Sequence, residues 1–189
     1  MQKTVTYFDK PGPVNTEQCL EIVEENVSKF HYKHVVVAST RGNTGLLFAE
    51  NLKDKDINLI IVTHSYGFKE PNSIELTDEA RSAILSAGAK IYTGTMITHS
   101  LETALAKKFS GVYPTLLVAQ SLRRFGEGSK VCCEMIMMTA DAGLIPEGEE
   151  VITVAGTGYG ADTVTVIKSA ASKRFLELKV LEILAKPRG

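Results

Sequence analysis

The amino-acid sequence predicts an α/β fold built on a parallel or mostly parallel β-sheet with helices on both faces. Short runs rich in β-branched residues alternate with stretches that have the apolar spacing of helices. The runs at 34–38 and 57–63 are almost continuously apolar, which is typical of strands covered on both faces. With 189 residues and no long linker, the chain is expected to form a single domain over residues 1–189.

The N-terminal half is predicted to form strands and helices in alternation, with capping or turn residues at the boundaries. A strand at 4–8 is ended by the turn residues at 9–13. Asn15 or Thr16 caps the first helix. Thr77 caps a later helix, which Gly88 ends. The predicted strands of this half are 4–8, 34–38, 57–63 and 89–93.

The middle of the chain is predicted to be helical, and strands return near the C-terminus. The predicted helices start at three points: Thr98 or Ser100, Pro114, and Ser129. The last of them is strongly apolar and carries Glu134 and Asp141, which project from nearly the same side. These carboxylates are expected to face a ligand or a subunit interface. The alternative is an exposed helix edge and, for Asp141, a capping role near the helix end. The predicted strands are 151–155, 163–167 and, with a helix as the alternative, 178–184.

The charge and hydropathy patterns argue against nucleic-acid and membrane partners. The formal net charge is -1, and no run of Lys or Arg forms a basic stripe. No apolar run approaches the length of a membrane span, and the first residues lack the apolar segment of a signal peptide. We therefore expect a cytoplasmic protein without nucleic-acid or membrane contacts.

Cysteine and histidine residues show no disulfide framework and no metal-binding spacing. The three cysteines, Cys19, Cys132 and Cys133, are odd in number and form no CxxC motif, which favours buried thiols in a reducing compartment. His64 follows the strand 57–63 and is a candidate proton donor or acceptor, although a solvated loop histidine is the more ordinary interpretation. No catalytic signature is recognisable, since a nucleophile at Ser39 or Thr44 has no evident base.

The first candidate binding loop follows the strand 34–38 and opens a helix. The first N–H groups of a helix have no internal partners, and the helix dipole favours negative charge. Ser39, Thr40 and Thr44 offer hydroxyls, Gly42 allows close backbone approach, and Arg41 offers charge. The alternative is an ordinary strand-to-helix turn capped by Asn43 or Thr44, and the spacing alone does not separate the two.

The second candidate loop has three glycines in five positions, at 156–160. It joins the predicted strands 151–155 and 163–167 so closely that they are expected to form a hairpin. The glycines differ from the dinucleotide-binding fingerprint because a strand follows them. The alternative to a binding role is that these glycines only supply positive φ angles.

Both loops resemble parts of a known family. Residues 35–44, 59–63, 151–156 and 163–167 resemble strands and loops of the C-terminal domain of pyruvate kinase, and the resemblance covers about 16–168. The whole chain further resembles a mainly archaeal family of stand-alone proteins with that fold. The residues that carry this second resemblance are at 7–12, 15–16 and 140–146.

The resemblance implies a three-layer α/β/α sandwich whose mixed sheet has the order 3-2-1-4-5 and an antiparallel last strand. In that order, strand 1 is 34–38 and strand 4 is 151–155, so the two are neighbours where the order reverses. Ligands of open α/β sheets bind at the carboxyl ends of the strands at such a point. Both loops leave from those ends and are expected to border one crevice. The N-terminal strand 4–8 has no counterpart in this order.

The resemblance also implies a ligand. In allosteric pyruvate kinases the corresponding loops hold a sugar-phosphate effector, whereas the stand-alone family suggests flavin mononucleotide (FMN), with aromatic side chains near a phosphate cradle. The catalytic barrel is not in this sequence, so no kinase activity is implied. The alternative is a non-catalytic sensor that changes a homo-oligomer interface. The predicted ligand-binding residues are Ser39, Thr40, Arg41, Gly42, Asn43 and Thr44 in the cradle, Thr63, His64, Tyr66, Gly67 and Phe68 in the wall, and Thr157, Gly158, Tyr159, Gly160, Ala161 and Asp162 in the lid.

Overall fold

A seven-stranded β-sheet runs through residues 3–189, which are the residues that the computed structural model describes. The sheet order is β1-β7-β6-β5-β2-β3-β4. Strands β1 to β5 and β7 run in one direction, and β6 runs antiparallel to both of its neighbours. The strands are β1 Thr6–Phe8, β2 His34–Ala38, β3 Asn58–Val62, β4 Lys90–Tyr92, β5 Glu150–Ala155, β6 Thr163–Lys168 and β7 Lys179–Pro187.

Helices cover both faces of the sheet and make the fold a three-layer sandwich. Val35 and Val37 pack on the face that α1, α2 and α3 cover, whereas Val36 points to the opposite face, which α6 covers. Helix α5 contacts α6, and α4 contacts α5. The helices are α1 Thr16–Phe30, α2 Asn43–Leu52, α3 Asp78–Ser86, α4 Leu101–Phe109, α5 Pro114–Leu122 and α6 Glu127–Asp141.

The predicted fold class is confirmed, and the sheet extends beyond the predicted order. The order 3-2-1-4-5 corresponds to β4-β3-β2-β5-β6, with β6 as the predicted antiparallel strand. The segment 178–184 forms a strand, β7, which pairs with β6 and continues to Pro187. The N-terminal strand β1 pairs parallel to β7 at the edge of the sheet. Its carboxyl end therefore lies at the same side of the sheet as those of β2 and β5.

Two predictions for α6 were wrong. The helix begins at Glu127 after Gly126, and the Ser129 hydroxyl donates to the Phe125 carbonyl instead of capping the helix. Glu134 does not lie at an exposed edge, because only 4% of its surface is exposed. Its carboxylate lies 2.6 Å from Nζ of Lys130, which is equally buried. This ion pair lies on the side of α6 that faces the chain segment before α4.

The three cysteines are free and buried, as predicted. Burial raises the pKa of Cys19 and Cys133 to about 12 and that of Cys132 to about 11. The thiols are therefore protonated near neutral pH, and the reactive thiolate form is scarce.

We expect all three cysteines to resist iodoacetamide in the folded protein and to react after unfolding in urea. Burial blocks the reagent and disfavours the thiolate, so modification should be slower by at least about 100-fold in the native state at pH 8. Intact-mass measurement over time gives the number of alkylated thiols. Rapid modification of any one of them without urea would contradict the buried environment.

None of the helices in residues 3–189 combines the length and the apolar character that crossing a membrane requires.

Candidate ligand-binding site

A cavity of about 790 Å³ opens at the carboxyl ends of β2 and β5, where the sheet order changes direction. The loop after β2 forms one wall, and the loop between β5 and β6 forms the opposite wall. His64, which follows β3, and the first residues of α1 and α6 complete the lining. The cavity therefore lies where open α/β sheets place their ligands.

The loop after β2 directs the start of α2 to the cavity. Ser39 is nearly buried, and its hydroxyl oxygen accepts a hydrogen bond from the N–H of Gly45 at 2.9 Å, which fixes the first turn of the helix. The N–H groups of Asn43 and Thr44 meet no acceptor among residues 3–189, and both residues line the cavity. These donors and the positive end of the helix dipole are free for an anion.

Gly42 has a structural role that differs from the predicted phosphate contact. Its φ angle is +101°, a left-handed conformation that favours glycine. A Cβ atom at this position would lie 2.4 Å from Cβ of Ala80 and 2.9 Å from a methyl group of Leu76. Gly42 thus allows the turn into α2 and the close packing of α3, on the side away from the cavity.

The loop between β5 and β6 is the predicted hairpin connection, and two of its glycines are needed for close packing. A Cβ atom on Gly156 would lie 2.6 Å from the Gly160 carbonyl oxygen. On Gly160, a Cβ atom would lie 2.5 Å from Cα of Pro13, and the φ angle there is +70°. Gly158, at the tip, has a φ angle of +81° and open space around it. The loop is thus packed against the residues that precede α1.

The residues before and at the start of α1 form a wall that sequence reasoning missed. Pro13 and Thr16 line the cavity, and the Thr16 hydroxyl accepts a hydrogen bond from the N–H of Ala161 at 2.9 Å. Asp162 is fully buried beneath this contact and accepts a hydrogen bond from the N–H of Gly12. The turn residues at 9–13 show that the chain turns between β1 and α1. The sequence does not show that this turn lies at the cavity, because it does not place β1 in the sheet.

The start of α6 also borders the cavity and was not predicted to do so. Glu127 and Val131 line the cavity on the side opposite to α1. The sequence does not indicate this role, because Ser129, a typical N-cap residue, predicts a later start for the helix. The N-termini of α1, α2 and α6 all meet the cavity, so three helix dipoles present their positive ends to it.

Arg41 and Tyr159 join the two loops across the cavity mouth. The Arg41 guanidinium donates to the Tyr159 hydroxyl at 3.1 Å and lies 4.7 Å from the centre of its ring. Both residues line the cavity. In this arrangement Arg41 is turned towards the predicted lid.

His64 connects the cavity to the partly buried carboxylate of Glu75. Its Nε2 atom lies 3.4 Å from the Thr40 hydroxyl, and its Nδ1 atom lies 3.1 Å from Oε1 of Glu75. The Phe68 ring packs against the imidazole, with 4.2 Å between the ring centres. Glu75 was not singled out from the sequence, because it lies in a loop without periodic pattern.

The structure brings most of the predicted cradle and lid to one cavity, but little of the predicted wall. The residues that line it are Ser39, Thr40, Arg41, Asn43, Thr44, His64, Thr157, Gly158, Tyr159 and Gly160. The predicted residues outside the lining are Gly42, Thr63, Tyr66, Gly67, Phe68, Ala161 and Asp162. Ligand contact stays a prediction for both groups.

Packing explains why several predicted residues lie outside the lining. Thr63 is buried, and its hydroxyl lies 2.7 Å from that of Thr93 on the neighbouring strand end. Phe68 packs between His64 and His99. Tyr66 is exposed to solvent.

No group of three or more His, Cys, Asp or Glu side chains suited to a metal ion occurs in the part of the chain that the structure describes.

The fold and the cavity between two loops at the switch point define a pyruvate kinase C-terminal-like α/β domain. Residues 17–167 match the family described as pyruvate kinase, alpha/beta domain, and the chain belongs to that family. The matched range includes both loops and leaves out β1, the turn before α1, and β7. One wall of the cavity is therefore built by residues before the matched range.

Weaker likenesses exist to several solved structures. The matches include O-ureido-L-serine synthase at 16% identity, covering 75% of this chain and 51% of that one with a TM-score of 0.33. A pyridoxal 5'-phosphate-dependent aspartate racemase matches at 16% identity over 76% and 47%, with a TM-score of 0.33. A hydrogen sulfide-producing enzyme from Fusobacterium nucleatum matches at 19% identity over 64% and 44%, also at 0.33. The chain spans about half the length of these proteins, and likenesses at this level carry no information about ligand or reaction.

Proposed function

We propose that the protein binds a phosphate-bearing small molecule, with FMN or a similar nucleotide or phosphate ester as the preferred ligand. The observation that carries the proposal is the start of α2, where the N–H groups of Asn43 and Thr44 meet no acceptor among residues 3–189 and both residues line the cavity. Backbone donors at a positive helix end are a common binding site for phosphate. The Thr40 and Thr44 hydroxyls lie in the same lining and can add hydrogen bonds.

The size and position of the cavity support a small organic phosphate over a bare ion. Its volume of about 790 Å³ falls within the range of about 300–1,000 Å³ that is typical of small-molecule sites. The site lies at the switch point of the sheet, the usual ligand position in this class of fold. Two further helix N-termini, those of α1 and α6, direct their positive dipole ends to the cavity, and the Glu127 carboxylate in the same lining opposes them.

For FMN, the chain offers a good phosphate site and one aromatic side chain. Asn43 and Thr44 would hold the phosphate, and Tyr159 lies at the opposite wall, where a ring could pack against it. Tyr66 and Phe68, which were expected to take part, lie outside the cavity lining. Bound FMN would supply electron-transfer chemistry, whereas a sugar phosphate would not.

Fluorescence titration with FMN and with riboflavin tests this proposal directly. The two differ only in the phosphate, so riboflavin should bind at least about tenfold more weakly, since hydrogen bonds to a charged group contribute about 1.5–3 kcal/mol. Native mass spectrometry of gently purified protein identifies any ligand retained from the cell. If the protein binds inorganic phosphate but does not bind FMN, the flavin is excluded as its ligand. Failure to bind any phosphate compound would overturn the proposal.

The substitution Asn43→Asp should weaken phosphate binding without weakening the fold. The new carboxylate would stand at the helix N-terminus, where it favours the dipole but repels a phosphate dianion, with an expected affinity loss of about tenfold or more. Asn51→Asp is the matched control, because it makes the same change in charge on the same helix, away from the cavity. Thermal unfolding and ligand titration of both variants separate stability from binding. Equal affinities in the two variants would contradict the placement of the phosphate at α2.

A second candidate function is a sensor without catalysis, and the Arg41–Tyr159 contact favours it. This contact links the two loops across the cavity mouth, so a ligand that enters between them must rearrange it. The rearrangement could pass to a homo-oligomer interface. Light scattering with and without saturating phosphate ligand measures the assembly state. An unchanged assembly together with substrate turnover would reject the sensor.

A further inference from the structure

We propose that Glu75, His64 and Thr40 form a catalytic relay that hydrolyses a phosphomonoester bound in the cavity, with Thr40 as the nucleophile. This inference rests on the proposed phosphate-binding function and names a reaction for the same site. The three side chains come from separate parts of the chain: the loop after β2, the end of β3 and the loop before α3. Their order is that of an acid, a base and a hydroxyl, the arrangement that activates a weak nucleophile.

The Glu75 carboxylate is largely shielded from solvent, whereas the Thr40 hydroxyl is accessible from the cavity. The Glu75 side chain is 13% exposed, and its Oε1 atom lies 3.1 Å from Nδ1 of His64. This contact holds the imidazole so that its other nitrogen, Nε2, faces Thr40. His64 and Thr40 both line the cavity, where a ligand can reach the hydroxyl. The Phe68 ring against His64 holds the imidazole plane.

The nucleophile lies beside the phosphate donors. Thr40 precedes the start of α2 by three positions, and the free N–H groups of Asn43 and Thr44 share the cavity with it. Donors in this position can stabilise the charge on the phosphoryl oxygens during transfer. The loop therefore supplies the attacking group and the stabilising groups together.

The reaction balances in two steps. First, Oγ1 of Thr40 forms a bond to phosphorus, the bond from phosphorus to the leaving oxygen breaks with its electron pair on that oxygen, and the Thr40 proton moves to Nε2 of His64. Next, water attacks the phosphothreonine, the bond between Thr40 and phosphorus breaks, and His64 returns its proton to Oγ1. Dihydrogen phosphate leaves, and a strongly basic leaving oxygen takes its proton from solvent. His64 and Thr40 are catalytic residues, and Glu75 is a positioning residue.

Hydrolysis of p-nitrophenyl phosphate tests the proposal, because nitrophenolate leaves without protonation and is measured by absorbance. Thr40→Val and His64→Asn should each lower kcat by about 100-fold or more. The inhibition constant of inorganic phosphate should change little in His64→Asn, and in Thr40→Val it should rise far less than kcat falls, since one hydroxyl is lost but the α2 donors remain. Thr40→Ser keeps the hydroxyl and should retain most of the activity. Acid-quenched wild-type protein should carry one phosphoryl group on Thr40, detected by peptide mass spectrometry.

Three further variants separate catalysis from structure. Glu75→Gln should lower kcat with little change in KM, and Glu75→Asp should recover part of the loss. His99→Asn is the matched control, because His99 also packs against Phe68 but lies outside the cavity lining. Circular dichroism confirms that each variant is folded.

The possible failures are distinguishable. Binding of phosphate without turnover, turnover that survives Thr40→Val, or FMN that remains intact in the site would overturn the relay and leave the proposed binding function in place. If neither inorganic phosphate nor p-nitrophenyl phosphate binds, the binding function and the relay are both overturned.

Discussion

Replacement of Glu134 by glutamine is expected to lower the free energy of unfolding by about 3–5 kcal/mol, the range seen when one partner of a buried ion pair is removed. Lys130 and Glu134 are 3% and 4% exposed, and Nζ lies 2.6 Å from Oε2. In the variant, the Lys130 ammonium would stay buried without a counter-charge. Urea unfolding followed by circular dichroism measures the change.

The carboxylate of Glu134 does more than neutralise Lys130. Its other oxygen accepts hydrogen bonds from the N–H and the hydroxyl of Thr98, at 2.6 and 2.7 Å. Burial by itself raises the pKa of the Glu134 carboxyl, but Lys130 and Thr98 outweigh it, so the pKa lies below its ordinary value. The pair therefore ties α6 to the segment that leads into α4.

Two controls isolate the effect of the buried pair. The double variant Lys130→Met with Glu134→Gln removes both charges and keeps an amide oxygen for Thr98, so it should recover much of the lost stability. Glu127→Gln breaks the neighbouring pair with Arg123, which has the same i,i+4 spacing but is more exposed, and should cost less than about 1 kcal/mol. Equal losses from Glu134→Gln and Glu127→Gln would contradict the argument.

The free energy of unfolding should fall at acidic pH, when the Glu134 carboxyl becomes protonated. Because the folded-state pKa of Glu134 is lowered, its contribution to stability is full above the ordinary value of 4.5 and is lost as the pH falls through the folded pKa. The unfolding free energy of wild-type protein should therefore fall more steeply below pH 4.5 than that of Glu134→Gln. If the unfolding free energies of the two proteins fell equally with pH below 4.5, Glu134 would not be the source of the acid sensitivity.

Much of the fold could be predicted because the central strands carry their own signal. The runs at 34–38 and 57–63 are apolar on both faces, and polar residues follow each strand at the end where ligands bind. The order of the strands came from the family resemblance, and the cradle came from the residues that open α2. These features are local, so a single sequence displays them.

The features that escaped prediction depend on contacts between distant residues. Glu75 reaches His64 only because the loop between them folds back, which no periodic pattern reports. Lys130 and Glu134 look like an ordinary exposed pair on a helix, and their burial follows from how α6 packs on the sheet. β1 has three residues, and its partner strand β7 lies at the other end of the chain, so no local pattern shows where β1 joins the sheet.

Asp162 shows how such a distant contact can support the candidate site. The residue was predicted to close over the ligand, but it is fully buried and accepts hydrogen bonds from the N–H groups of Gly12 and Thr157, at 2.8 and 3.0 Å. Its other oxygen accepts from the hydroxyl of Thr163. One side chain thus joins the turn before α1 to the loop between β5 and β6, which form adjoining walls of the cavity.

Replacement of Asp162 by alanine is expected to lower the free energy of unfolding by about 4 kcal/mol or more, because each buried donor left without an acceptor costs about 1–3 kcal/mol. Asp162→Asn is the matched variant. Its amide oxygen can still accept from Gly12 and Thr157, and its amino group can donate to the Thr163 hydroxyl, so the loss should be about 1–2 kcal/mol. Urea unfolding gives both values, and proteolysis of the alanine variant should cut first at 9–15, where the turn loses its anchor. If the alanine and asparagine variants unfold at the same urea concentration, the hydrogen bonds of Asp162 do not hold the two walls together, and the geometry of the cavity must depend on the glycine packing alone.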